Sequence, residues 1–381
     1  MKEYQVVTLV IRNITMSNNN FRFNIYGEGT GAIYKENVIQ NETTTPSSSS
    51  STFLNTEVLR NQIESITIEK NNIVPSDAKY SKDISSKQDG SVMLWYTDKD
   101  NNSLYEVSIG SENGSLEANT NGSGMFSYLD NVDTLDLTGL DTSNMTSMSR
   151  MFYNSKSLKN IDVSSFDTSK VVNMNGMFQY CSSLVDIDLL NFDTSKVTNM
   201  SLMFYKCKSL IELDLFNFNT QNVTTMESMF DGCEAISSLN ISTFNTSNVS
   251  NISFMFCDCK KISSINLLNF DTSKVTTMQS LFKGCFSLIT LDLSNFNTEK
   301  LTKTGASTNT FDGYSGMFNG CTKLKTIYVS NLWNMSNVKS SYFMFNNCTS
   351  LVGTVPFDSS KTDASMANYT NGYLTYKENT N

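Results

Sequence analysis

Carboxylates and thiols recur in this chain at fixed intervals, and the intervals decide what chemistry they can perform. Asp136, Asp162, Asp188 and Asp214 are spaced by 26 residues, and Asn240, Asn266, Asp292 and Tyr328 continue the column. Asp186 and Glu212 add charge one column away, and Asp141, Asp167, Asp193, Asn219, Asn245, Asp271 and Asn297 form a third series. Acid–base catalysis needs one carboxyl made different from its partner, whereas these columns repeat one environment and exchange Asp for Asn. The exchange keeps hydrogen-bond acceptance, as Asx turns and caps require. With no histidine anywhere, Ser-His-Asp triads and His-ligated zinc are excluded. There is no P-loop, dinucleotide fingerprint or catalytic cysteine context. The reading is non-enzymatic, with no catalytic residue and no cofactor.

Seven of the eight cysteines, Cys181, Cys207, Cys233, Cys259, Cys285, Cys321 and Cys348, each stand three residues after a phenylalanine. Thiols that copy a repeat fill a small buried slot. A stacked ladder of identical side chains rarely meets the torsional demand of a disulfide. Cys257 is the only thiol off the column, and no C-x-x-C pair exists to assemble a metal site. The columns Met148/Met174/Met200/Met226/Met278 and Met151/Met177/Met203/Met229/Met255 admit Ile252 and Leu281 in register. A hydrophobic filler tolerates that and a thioether metal site does not, so no metal is assigned.

The elements that position these columns follow from the same period. Phe126, Phe152, Phe178, Phe204, Phe230, Phe256 and Phe282 are each 26 apart, and Phe318 and Phe345 follow after steps of 36 and 27. The long step marks an insertion within Lys303 to Tyr314. In Cys207 to Phe230, Leu210, Leu213 and Leu215 read as a strand with one buried face. Val223, Met226, Met229, Phe230 and Cys233 read as one face of a short helix. Neither element buries its apolar side alone, so neighbours must stack. The expected class is α/β: a leucine-rich-repeat solenoid with parallel strands and short helices, capped at both ends, plus a small β-rich N-terminal segment. The expected division is 1–40 for that segment and 41–62 for a Ser/Thr-rich linker or long loop leading in. It continues with 63–123 for the first cap, 124–351 for the repeat array and 352–381 for the closing cap and tail.

The phrase [LI]-D-L-x-x-F-[DN]-T-S-x-V-x-x-M-x-x-M-F-x-x-C-x-x-L, present from Ile187 to Leu210, closely resembles the BspA-family leucine-rich-repeat surface proteins of bacteria. Val74 to Gly110 resembles the segment preceding the repeats in that family, and Tyr369 to Lys377 its closing segment. The resemblance covers about Ile63 to Lys377. It implies a surface-exposed or secreted binding or adhesion protein.

Lys+Arg total 28 against 37 Asp+Glu, a formal charge of −9. This opposes nucleic acid and anionic membranes as partners. No stretch approaches the roughly 18 apolar residues that would span a bilayer, and Met1 to Arg12 reads as a strand rather than an export signal. The residue between the two buried aliphatics of each strand points outward, so Asp162, Asp186, Asp188, Glu212 and Asp214 form an acidic strip. In-register like charges repel, which leaves two readings open: a solvated face, or a cationic ligand. Phe216 either adds an exposed aromatic to that strip or folds over the strand edge. Tyr328, Trp333 and the insertion form a second candidate patch. The expected partner is an extracellular protein or glycan, bound through Asp162, Asp186, Asp188, Glu212, Asp214, Phe216 and Tyr328; the alternative is a structural spacer that presents another module.

Overall fold

The computed structural model describes residues 36–379 apart from 113, 306 and 308–315. The chain divides into two compact units, Met1–Lys35 and Glu36–Asn381. The expected β-rich N-terminal segment thus lies outside the described residues for all but its last few positions, as does most of the insertion.

Strands β1 (Ile63–Glu69), β2 (Tyr80–Asp83), β3 (Val92–Thr97) and β4 (Tyr105–Ser111) form one sheet in the order β1-β4-β3-β2. Short strands follow as pairs: β5 (Leu116–Glu117) with β7 (Leu140–Asp141), β6 (Thr134–Asp136) with β8 (Asn160–Asp162), and β9 (Glu212–Asp214) with β10 (Ser238–Asn240). The last sheet joins β11 (Thr290–Leu293), β12 (Thr326–Val329) and β13 (Thr375–Tyr376). All these later pairs are parallel, and in them Leu135 lies beside Ile161, Leu213 beside Leu239, and Leu291 beside Ile327. The chain is therefore mostly strand and turn, with leucine-rich-repeat-like coils in register. The unbroken ladder runs elsewhere, through single bridges Asn121–Ser147–Asn173–Asn199–Thr225–Asn251–Thr277–Lys303–Ser340.

The expected short helices do not form. Among the described residues the only helical pieces are 3-10 turns at Arg60–Gln62 and Ala364–Met366. The reason is visible between Met174 and Cys181. The N–H groups of Met177, Gln179 and Cys181 close turns to the carbonyls three residues back. Those of Met174, Gly176, Phe178 and Tyr180 donate to Asn199, Ser201, Met203 and Tyr205 of the next coil. Gly176 and Tyr180 have φ of 61° and 64°, and Leu202 and Lys206 repeat this in the following coil. Left-handed residues at the third positions of the Met174–Met177 and Phe178–Cys181 turns are incompatible with a helix. A spacing of three and four suits either structure; what decides is that turns release alternate N–H groups to the neighbouring coil, whereas a helix would keep them.

Every phenylalanine of the 26-residue series is buried, and consecutive rings from Phe126 to Phe345 stack with centroids 5.4–6.0 Å apart. The step from Phe282 to Phe318 keeps 5.9 Å despite its 36 residues. The ring stack thus keeps its spacing across the ten extra residues. The column cysteines are free and buried, and each donates to the carbonyl of a phenylalanine in the preceding coil, as Cys207 does to Phe178 at 3.1 Å. Ser155 makes the same bond to Phe126 at 2.9 Å, which shows what the slot requires. Burial pushes the thiols of Cys181 and Cys321 up to about 12. Buried Thr220 donates to the Asn245 carbonyl at 2.9 Å and accepts from its N–H at 2.8 Å. Thr142, Thr168, Thr194, Thr246 and Thr272 donate likewise to the coil after theirs.

Residues 41–62 are not a linker. Phe53, Leu54 and Val58 are buried, and the Phe53 ring lies 6.2 Å from Phe126, the first ring of the stack. The fully buried Arg60 donates to the carbonyls of Thr52, Met125 and Ser127 and pairs with Glu42. Val38 and Ile39 bridge to Glu117 and Ser85, so the chain from Glu36 belongs to the main unit and the expected boundary at residue 40 moves to 35. The apolar residues just beyond the Ser/Thr run explain both: an open stack must be covered. Tyr373 closes the other end, edge-on to Phe345 at 5.4 Å.

Thr220→Val keeps the shape but leaves the Asn245 N–H and carbonyl unpaired, so denaturant unfolding should report a loss of about 2–4 kcal/mol. A disulfide-exchange reagent should label none of the eight thiols in the native protein and all of them after unfolding.

Candidate functional site

The strand face is built by local hydrogen bonds. The side-chain oxygens of Asp162, Asp188 and Asp214 accept the N–H two residues ahead, at Ser164, Leu190 and Phe216, at 2.9–3.0 Å. Asp136, Asn266 and Asp292 do the same. This explains the Asp/Asn exchange: the turn needs an acceptor, and the charge is additional. Hydrogen bonds from Ser164 hold the Asp162 carboxyl below the usual carboxylate range. The sequence-assigned residues then separate into groups. Asp186, Asp188, Glu212 and Asp214 line one open trough of about 480 Å³ with Leu190 and Asn240. Asp162 lines the adjoining depression with Asp136 and Asp188. Phe216 is 59% exposed, so it stands out from the strand edge rather than folding over it.

Tyr328 does not join them. It sits in β12 opposite Asp292 and Thr375, and the Lys377 ammonium lies 5.7 Å from its ring centre while pairing with Asp292. Strand β13 thus occupies that end of the face. Trp333 is buried and donates to the Ala367 carbonyl at 3.0 Å, so it belongs to the closing cap and not to a surface patch. The Lys303 to Tyr314 loop lies largely outside the described residues.

A second site escaped the sequence reading. In the two positions after each stacked phenylalanine, Tyr128, Tyr153, Tyr180 and Tyr205 meet edge to face with centroids 5.2–5.7 Å apart, and Lys206 reaches over the last two. The next coils place Asp231, Cys257 and Asp258 with donor atoms within 4.8 Å of one another. Together with Gln179 and Lys283 they line a groove of about 630 Å³. Gly232 and Gly284, both at positive φ, make room: a Cβ at 284 would stand 2.1 Å from the Asp258 carboxylate, and one at 232 would stand 2.9 Å from the Lys206 side chain. Burial, then the charge of Asp258, pushes the Asp231 carboxyl up to about 7 against the pull of Cys257, Lys206 and Lys283. The Asp231/Cys257/Asp258 trio is the only potential metal-ligating group among the described residues. Lys283, 3.9 Å from Asp258, already supplies positive charge there. The available signal was that this column changes residue at every coil, from Tyr153 to Gln179, Tyr205, Asp231, Cys257 and Lys283.

The repeats match, over residues 120–239, 209–314 and 307–380, the family described as "Mycoplasma protein of unknown function, DUF285". The chain belongs to that family. No curated protein matches it. Among solved structures it is similar to a chain of "Crystal structure of TLR13-ssRNA13 complex", with 15% identity and a TM-score of 0.16 over 62% of this chain and 45% of that one. The match thus spans less than half of that chain. Family membership names a repeat and leaves the role of the member's two surface sites to chemistry.

Asp231 gives the groove a pH signature. A carboxyl whose folded pKa lies above its unfolded value of 3.8 favours the fold while protonated, and that contribution fades as pH rises through about 7. Asp231→Asn should therefore raise stability at pH 8 by about 4 kcal/mol and change it little at pH 4. Thermal melts of both proteins across that range measure it.

Proposed function

We propose that this chain is a BspA-like leucine-rich-repeat solenoid that works without catalysis, as a surface-exposed or secreted bacterial protein binding an extracellular protein or glycan in adhesion or host contact. One observation carries the reading. On the strand face, Asp186, Asp188, Glu212 and Asp214 are gathered in one open trough, and none is ion-paired among the described residues. Side chains that only stitch coils together are consumed by their bonds, whereas these retain free acceptor capacity toward solvent or a partner. The likeness to BspA proteins supplies the extracellular setting. The absence, among the described residues, of a helix long and apolar enough to cross a membrane is compatible with it.

A structural spacer would use none of these side chains. The two roles separate in a binding screen of the intact chain against matrix proteins and glycans, with Asp162→Asn/Asp188→Asn/Asp214→Asn alongside. Asparagine preserves the turns, as Asn240 and Asn266 do naturally. A partner held by the native chain and weakened at least tenfold by the triple variant is the expected result. Absence of any partner favours the spacer.

A further inference from the structure

The trough has a frame as well as a floor. In two adjacent coils the sequence reads Val185-Asp186-Ile187-Asp188-Leu189-Leu190 and Ile211-Glu212-Leu213-Asp214-Leu215-Phe216. Ile187, Leu189, Leu213 and Leu215 are buried. The four carboxylates therefore project outward, and the outermost residue of each run stays exposed as well. Val185 and Ile211 are 41% and 49% exposed on one side, and Leu190 and Phe216 are 61% and 59% exposed on the other. Neighbouring coils lack this combination: the equivalent positions are Lys159 and Ser164 before it, and Ser237 and Ser242 after it.

Among the described residues no ion pair compensates this charge. Lys159, one coil away, pairs with Asp133 at 3.6 Å, and Lys208 and Lys260 pair with Glu234. Asn240 donates to Asp214 at 2.8 Å, so the one contact to this group from the following coil is neutral. Like charges gathered on adjacent coils repel one another. Apolar side chains left in water on both flanks mark a surface that gains by being covered.

We propose that this two-coil patch docks a cationic protein segment: two or more Lys or Arg side chains set over the four carboxylates, with apolar residues flanking them to cover Val185 and Ile211 on one side and Leu190 and Phe216 on the other. The proposal rests on the binding reading above and names its partner chemistry. Charge complementarity excludes an acidic or purely neutral occupant, because neither relieves the carboxylate repulsion. The exposed apolar rim distinguishes a peptide from an inorganic cation, which would leave Phe216 and Leu190 in water. The aromatic Phe216 is the anchor, and the carboxylates supply steering and register.

The probe is a fluorescent twelve-residue peptide with two Lys-Arg pairs between leucines, titrated by anisotropy into the full chain at 20 mM and 300 mM salt. Binding is expected at low salt, with affinity falling at least tenfold at high salt as screening shortens the reach of the charges. Glu212→Gln/Asp214→Asn should weaken it about tenfold, and Phe216→Ser alone three- to tenfold, with the variants melting no lower than the native protein. A second peptide with glutamates in place of the cations should not bind. Equal binding by native and Glu212→Gln/Asp214→Asn chains, or no binding of the basic peptide, overturns the proposal. Concentration-dependent self-association at low salt that Glu212→Gln/Asp214→Asn abolishes would overturn it in favour of a second copy of the chain. The general binding reading stands or falls separately: a neutral glycan or matrix protein that binds native and variant chains alike keeps that reading even where failure of the basic peptide overturns this one.

Discussion

The structure depends on one constraint: a 26-residue coil without helices cannot satisfy its own backbone, so each coil must give its polar groups to the next. The alternating N–H groups between Met174 and Cys181 show the arrangement, half closing local turns and half crossing to the following coil. Buried peptide groups left unpaired cost free energy comparable to a lost hydrogen bond, which makes the register between coils obligatory. Left-handed backbone at residues such as Leu202, Lys206 and Tyr180 is the corresponding expense, roughly 1–2 kcal/mol at each non-glycine position. It is offset because the turns it permits free the crossing donors.

The repeated side chains serve the same requirement. Threonines bond the N–H and carbonyl of the next coil, cysteines bond a carbonyl of the previous one, and Asp or Asn holds the N–H two residues ahead. Phenylalanine rings fill the space between, from Phe53 at one end to Tyr373 at the other. Cross-coil bonding also makes the ends the weak points, since the first and last coils have a neighbour on one side only. Arg60 answers this by spending its guanidinium on Thr52, Met125 and Ser127 carbonyls, and β13 answers it by pairing with β12.

Positions released from that duty are where coils differ. The outward strand positions change from Val185 and Leu190 to Ser237 and Ser242, and the positions after each stacked phenylalanine run through tyrosine, lysine, aspartate and cysteine. These two surfaces carry the chemistry that distinguishes one coil from another: an uncompensated acidic trough with an apolar rim, and a tyrosine-lined groove ending in Asp231, Cys257 and Asp258.

By itself the sequence determined the period, the buried columns and the outward acidic strip, because a strict repeat in type and spacing admits few packings. It also told the repeat thiols from the odd one, since Cys207 and its equivalents copy the register while Cys257 does not. Tertiary structure alone decided three matters. Turns replaced helices in the Met-Phe segment, because hydrogen bonds to the neighbouring coil are non-local and a spacing of three and four fits either backbone. Residues 41–62 became a cap, because only the open end of the phenylalanine stack gave Phe53 and Arg60 something to cover. The Asp231 groove gathered residues from coils 26 positions apart, and no local motif marks a site whose members meet only across the stack.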